Sequence, residues 1–166
     1  FDIRKKTSKE YAREMKERLE LDIRNFSCSR AALLGADVIV TATTARAPFV
    51  KNSWIGNGSF YSHIGTYQEA EYDVIVNSHK VVVTNWEENK REGTTTLARM
   101  YAEGLFKDDD IYAELSDVVA GKKAGRETEA ERILFSPLGT SGASMMLACR
   151  VYKNAREKQL GRRLLL

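Results

Sequence analysis

Ala36-Asp37-Val38-Ile39-Val40-Thr41-Ala42-Thr43-Thr44-Ala45-Arg46-Ala47-Pro48 is an apolar, β-branched run that stops abruptly in small and hydroxylated residues. Val38, Ile39 and Val40 show no polar alternation, the pattern of a parallel strand whose two faces are both covered by helices. Open α/β sheets bind ligands in the crevice outside the carboxyl ends of their strands. Thr41, Ala42, Thr43 and Thr44 are small enough there to let a flat ligand reach the backbone. Taken by itself, the same segment is a core strand followed by a Thr-rich turn that Pro48 closes.

Upstream, Phe1-Asp2-Ile3-Arg4 reads as the end of a strand, and Ser8 can cap a helix running through Tyr11, Ala12, Met15 and Leu19 at helical spacing. Leu21 to Phe26 makes a second short strand. Ser27 can cap a brief helix through Ala31, Ala32 and Leu34 that ends at Gly35. With the Val38 strand this is β-α-β-α-β, and right-handed crossovers make it half of a Rossmann-like, doubly wound, mostly parallel α/β sheet. In such a fold a Gly-rich turn holds a pyrophosphate at a helix N-terminus, and an acidic residue about 20 positions on takes the ribose hydroxyls. Asp2 stands where that acid belongs. No Gly-x-Gly-x-x-Gly occurs and the first glycine is Gly35, so the sheet is expected to lack its first strand and Gly-rich turn. The chain then reads as a piece of a longer protein, catalytically inert by itself.

Downstream, Gly56-Asn57-Gly58 signals a turn beside Trp54, and Ser59 to Gly65 reads as a strand ending again in small residues. Tyr72 to Asn77 is a short helix, Lys80 to Thr84 a fifth strand, and Thr95 to Leu105 a helix with Leu97, Met100 and Tyr101 on one face and Gly104 as its stop. Trp86 to Gly93 is simply charged. Asp108 to Asp110 is an acidic turn without the alternating ligand spacing of a calcium loop, so no metal site is expected.

Composition narrows the function classes. The 166 residues, 43% of them hydrophobic, suffice for one domain with a real core. The 26 basic and 23 acidic side chains are interspersed and leave a net charge of +3, which gives no nucleic-acid or membrane footprint. Two cysteines, Cys28 and Cys149, make no disulfide framework; they read as buried, apolar side chains in a reducing compartment. With no run of about 18 apolar residues and no leader pattern, the expected location is the cytoplasm.

The stretch from Asp110 through Ala113-Glu114-Leu115-Ser116-Asp117-Val118-Val119-Ala120-Gly121-Lys122 to Gly125-Arg126 resembles the ornithine cyclodeaminase and mu-crystallin family. There an Ala-Glu-Leu-Gly-Glu-Ile-Val-x-Gly-Lys-x-Pro-Gly-Arg segment follows the sheet, and an Ala-Asp-Ile-Val-Thr-x-Thr strand, matched here by Ala36 to Thr43, precedes it. Pro48, the Gly58 to Gly65 strand, and the tail from Phe135 through Gly139 to the Val151-Tyr152 helix extend the likeness. The resemblance implies a dinucleotide-binding domain over residues 1–135. It also implies a segment, 136–166, returning to a substrate and dimerisation domain that these residues do not include, hence a homodimer.

Members include ornithine cyclodeaminase, amino-acid dehydrogenases, ketimine reductases and mu-crystallin, so NAD or NADP is the implied cofactor and an amino acid or its imine the substrate. By position, Asp2, Ile3 and Arg4 resemble the adenosine-ribose contact, Ala42, Thr43 and Thr44 the loop under the cofactor, Ile64 and Gly65 the nicotinamide-side strand end, and Leu138 a further cofactor contact. The Asp2 carboxylate favours NAD over NADP by repelling a 2′-phosphate, although Arg4, Lys5 and Lys6 could neutralise one.

Three positions depart from the family pattern. Cyclodeaminases carry Gly-x-Asp after the second of these strands, whereas this chain has Gly65-Thr66-Tyr67, with neither Glu69 nor Glu71 at the matching step. Pro137 replaces a frequent hydroxyl residue, and Met145 an Asp. The departures favour a dehydrogenase or imine reductase over a cyclodeaminase and leave a non-catalytic, nucleotide-dependent binder as the alternative. Tyr67, at the old Asp position, and His63, able to exchange protons near neutrality at a strand end, are the candidate catalytic residues. A lone histidine is more often a hydrogen-bonded structural residue, and loop tyrosines are commonly packing residues.

Overall fold

The computed structural model describes residues 1–139 and 141–162; the side chain of Ser141 lies outside the described part, as do Thr140 and 163–166 of the expected C-terminal segment. Five strands form one wholly parallel sheet: β1 (Val38–Thr41), β2 (Phe60–His63), β3 (Lys80–Val83), β4 (Ala113–Glu114) and β5 (Ile133–Ser136), in the spatial order β1-β2-β5-β3-β4. The helices are α1 (Lys5–Leu19), α2 (Ser29–Leu33), α3 (Tyr72–Val76), α4 (Trp86–Glu92), α5 (Thr96–Ala102), α6 (Leu115–Val119) and α7 (Ser141–Glu157). Among the described residues no helix is long and apolar enough to cross a membrane. The doubly wound α/β class expected from the sequence is the one observed.

Register explains which strand residues are buried. Ile39, Tyr61, Leu134 and Val81 form one cross-strand row, and all four point into the core. Val74 and Ile75 of α3, Trp86 of α4, and Leu97 and Met100 of α5 close over that face, with Phe106. Trp86 sets its ring edge to face against Phe106 and Tyr101, at centroid distances of 5.8 and 5.6 Å. Two N-caps fix the helices: Asn85 accepts from Glu88 N and Thr95 from Ala98 N. Gly93 and Gly104 end α4 and α5 in the left-handed region that glycine enters without strain.

Several local expectations are corrected. β1 is not covered on both faces: Ile39 is buried, but Val38 and Val40 are 64% and 59% exposed, because β1 is an edge strand and its second face opens on a cavity of about 530 Å³ floored by Val38, Phe60, Val82 and Phe135. Phe1–Arg4 and Leu21–Phe26 are not strands; neither has a strand beside it to complete a ladder, and each runs as irregular chain flanking α1. Ser8 does not cap α1, which starts at Lys5 after Arg4; it is buried inside the first turns and donates to Asn25 Oδ1. Cys28 rather than Ser27 precedes α2. Tyr11 and Leu19, the expected core stripe of α1, are 62% and 55% exposed. Cys28 and Cys149 are exposed, not buried. Four elements lie outside the sequence expectations: the charged Trp86–Glu92 stretch is α4, Ala113–Glu114 and Leu115–Val119 are β4 and α6, and β5 occupies the middle of the sheet.

Candidate active site

β1 and β2 end side by side, with Thr41 opposite His63, and their following turns face one another across the carboxyl edge of the sheet. Three sets of contacts hold the turns in register. At the near end, Ile64 N donates to Thr41 O at 2.8 Å. At the far end the backbone zips again: Phe49 N and Val50 N both donate to Glu69 O, and Glu71 N donates to Val50 O. Between them lies the side chain of Glu69, fully buried.

That carboxylate accepts from Thr41 Oγ1 at 2.6 Å, Thr43 N at 2.7 Å, Thr43 Oγ1 at 2.5 Å and Gly65 N at 3.1 Å. Four donors match the acceptor capacity of a carboxylate. Gly65 is required as well as permitted: a Cβ there would fall on the Glu69 carboxylate. Tyr61 completes the chain, its hydroxyl 2.9 Å from Thr41 Oγ1. Since Thr41 donates to Glu69, Tyr61 is the donor to Thr41. Burial pushes the Tyr61 phenol above its ordinary pKa, with the Glu69 charge acting in the same direction, so it stays protonated.

His63 is 2% exposed and its ring stacks on Tyr61 at 6.1 Å. Its Nε2 lies 2.9 Å from Tyr67 O and 3.3 Å from Glu69 Oε2, two acceptors, so Nε2 carries the hydrogen and donates. Burial lowers the His63 pKa, while the Glu69 charge and the Tyr67 carbonyl oppose that shift. In this arrangement the ring donates from the end of β2 to the 64–70 turn and ties the two together. Tyr67 itself is half-buried, with the Arg46 guanidinium 5.1 Å from its ring centroid across the gap between the turns.

The sequence-expected residues are thus brought together in part. Ala42, Thr43 and Thr44 are exposed on one turn, Ile64 (50% exposed) and Gly65 lie on the other, and His63 and Tyr67 stand beside them. Leu138 follows the central strand β5 and is clasped to the end of β3: Leu138 N donates to Thr84 Oγ1 at 2.9 Å, and Thr84 donates back to Leu138 O. Asp2, Ile3 and Arg4 form a local turn instead, Asp2 accepting from Arg4 N at 2.7 Å beside a small cavity lined by Thr7, Ser8 and Tyr11.

Sequence reading missed Glu69 as the tie between the turns. Its only local signal is Gly65 four residues earlier, because the partners Thr41 and Thr43 lie 28 and 26 positions away. Among the described residues no cluster of His, Cys, Asp or Glu could hold a metal.

Comparison with known proteins places this arrangement. The chain is 34% identical over 143 residues to Delta(1)-pyrroline-2-carboxylate reductase of Bacillus cereus, a match covering 84% of the chain and 43% of that protein. Its fold superposes on Thermococcus litoralis Delta(1)-pyrroline-2-carboxylate reductase in complex with NADH and L-proline, with a TM-score of 0.88 at 30% identity, over 98% of the chain and 51% of the other. An archaeal alanine dehydrogenase dimer with bound NAD gives 0.87 at 28% identity, over 99% and 51%. The chain spans about half the length of the relatives it matches. The model of the ornithine cyclodeaminase/mu-crystallin family matches residues 1–159, and the chain belongs to that family.

Proposed function

We propose that the protein carrying this chain is an NAD-dependent oxidoreductase that moves a hydride at the amino or imino carbon of an amino acid or its imine, as an amino-acid dehydrogenase or imine reductase. The observation that carries the reading is the pair of turns, exposed Ala42–Thr44 and the half-exposed Ile64 before buried Gly65, locked together at the carboxyl ends of two adjacent parallel strands. Family relatives solved with NADH and L-proline, or with NAD, support it.

The residues fit the nicotinamide end of such a cofactor. Half-exposed Ile64 offers an apolar platform, and Ala42, Thr43 and Thr44 offer a backbone approachable without bulky side chains. Leu138, clasped to Thr84, closes the side next to β5. Asp2, Ile3 and Arg4 are assigned to the adenosine ribose, with Asp2 favouring NAD over NADP. Bound nicotinamide supplies the hydride donor or acceptor; the protein supplies alignment. Tyr67 is assigned to the substrate side. His63 is assigned an indirect part, holding the Tyr67 carbonyl. The substrate domain, the homodimer and a cytoplasmic location belong to this proposal, and the exposed Met145, Met146, Val151 and Tyr152 of α7 suit a helix packed on a further domain.

The cyclodeaminase alternative needs an accessible carboxylate in the 64–70 turn. The one acid there, Glu69, is buried with its acceptor capacity filled. The same observation favours a second reading, a nucleotide-binding protein without turnover. Calorimetry with NADH and NADPH, followed by steady-state assays on amino acids and cyclic imines, separates the two: tight binding with turnover supports the oxidoreductase, and tight binding with none on any substrate selects the binder.

A further inference from the structure

We propose that Glu69 is the positioning residue of the nicotinamide subsite, its carboxylate fixing the Thr41–Thr44 and Ile64–Gly65 turns in the one relative arrangement that a nicotinamide ring can enter. The inference rests on the cofactor reading above. It follows from three features.

The first is topology. The turns leave different strands, and among the described residues the backbone joins them at their two ends, through Ile64 N and Gly65 N to Thr41 O and through the Phe49–Val50 zip to Glu69 and Glu71. The stretch between, which contains the exposed Ala42, Thr43 and Thr44, is hydrogen-bonded to the other turn through the Glu69 side chain, with Arg46 stacked on Tyr67 further along. The second is steric. Gly65 lets the carboxylate press against the neighbouring backbone, so the carboxylate acts as a spacer of fixed size between the turns. The third is electrostatic. Glu69 is fully buried and, among the described residues, has no lysine or arginine bonded to it; two hydroxyls and two backbone N–H groups bond it, with His63 at 3.3 Å. A carboxylate buried away from water depends on such donors, and each one lost leaves an acceptor position unfilled. Displacing either turn strips donors from it, so the two turns move together or not at all. Glu69 touches neither substrate nor cofactor in this scheme.

The test uses the full-length protein and two probes: NADH, and ADP-ribose, which keeps the adenosine, pyrophosphate and second ribose but lacks nicotinamide. Glu69→Gln turns an amide NH2 toward groups that are themselves donors, and Thr43→Val removes one donor while leaving the backbone bond. The expected result is an NADH dissociation constant raised at least tenfold in Glu69→Gln and about threefold in Thr43→Val, with ADP-ribose affinity within twofold of wild type. A purely structural residue would weaken both probes together, and that outcome overturns the inference, as does unchanged NADH affinity in folded variants. Where Glu69→Gln does not fold, Thr41→Val, which removes a buried donor to the same carboxylate and leaves the exposed loop unchanged, decides by the same criteria. Wild-type protein that fails to bind NADH at all would sink the cofactor reading itself, and this inference with it.

Discussion

At the scale of single residues, the chemistry concentrates where Thr41, His63, Gly65 and Glu69 meet. His63 makes the pH prediction. Its folded-state pKa is lowered below the ordinary 6.5 by burial. Below about pH 6.5 the unfolded chain binds a proton there that the folded chain does not. Stability therefore falls as pH drops below that value, and the contribution is constant above it. His63→Gln is expected to flatten the wild-type decline of melting temperature between about pH 5 and 6.5; an unchanged slope would show that His63 is not the group responsible. Tyr61→Phe removes the hydroxyl that donates to Thr41 and should cost about 1 kcal/mol in chemical denaturation, the usual worth of one internal hydrogen bond. Of these residues, Thr41, His63 and Gly65 stand out in the sequence because a hydroxyl residue, a histidine and a glycine at strand ends carry a local chemical signal, which marks the place and not the role. The tie through Glu69 was not, since no periodicity links residues 41 and 43 to residue 69 and only the folded sheet brings them together.

At the scale of elements, β1, β2 and β3 were readable because each is a short β-branched or aromatic run bounded by turn residues. β5 was not, although it is the central strand. Ile133-Leu134-Phe135-Ser136 sits between charged and Pro-containing segments, and its burial comes from neighbours 50 or more positions away, β2 and β3. Leu134→Ala is expected to destabilise the fold by about 2–5 kcal/mol, since the side chain is 1% exposed in the middle of that sheet; a loss under 1 kcal/mol in equilibrium unfolding would contradict the strand order. The readings of Phe1–Arg4 and Leu21–Phe26 as strands failed for the complementary reason. Strand propensity is realised only when a neighbour completes the ladder, and among the described residues neither segment has one. α4 escaped notice because six of its seven residues are polar or charged; its stability comes from the Asn85 cap and from Trp86 inserted against Phe106 and Tyr101.

At the scale of the whole molecule, one face of the sheet is a packed core, the other opens at Val38 and Val40, and β1 is an edge strand that, among the described residues, pairs on one side alone, with β2. Residues 1–166 expressed alone should self-associate through that edge, and Val38→Lys with Val40→Lys should shift the population toward monomer in analytical ultracentrifugation. The carboxyl edge is where function is assigned. The assignment of Asp2 predicts that NADH binds the full-length protein more tightly than NADPH; a tenfold preference for NADPH would remove Asp2 from the ribose. The most direct test of the central claim is a steady-state assay of the full-length protein with NADH against a panel of cyclic and open-chain imino acids, run in reverse with NAD and the corresponding amino acids. The account predicts saturable hydride transfer with at least one imine–amino acid pair, and no turnover with any pair and either nicotinamide cofactor would contradict it.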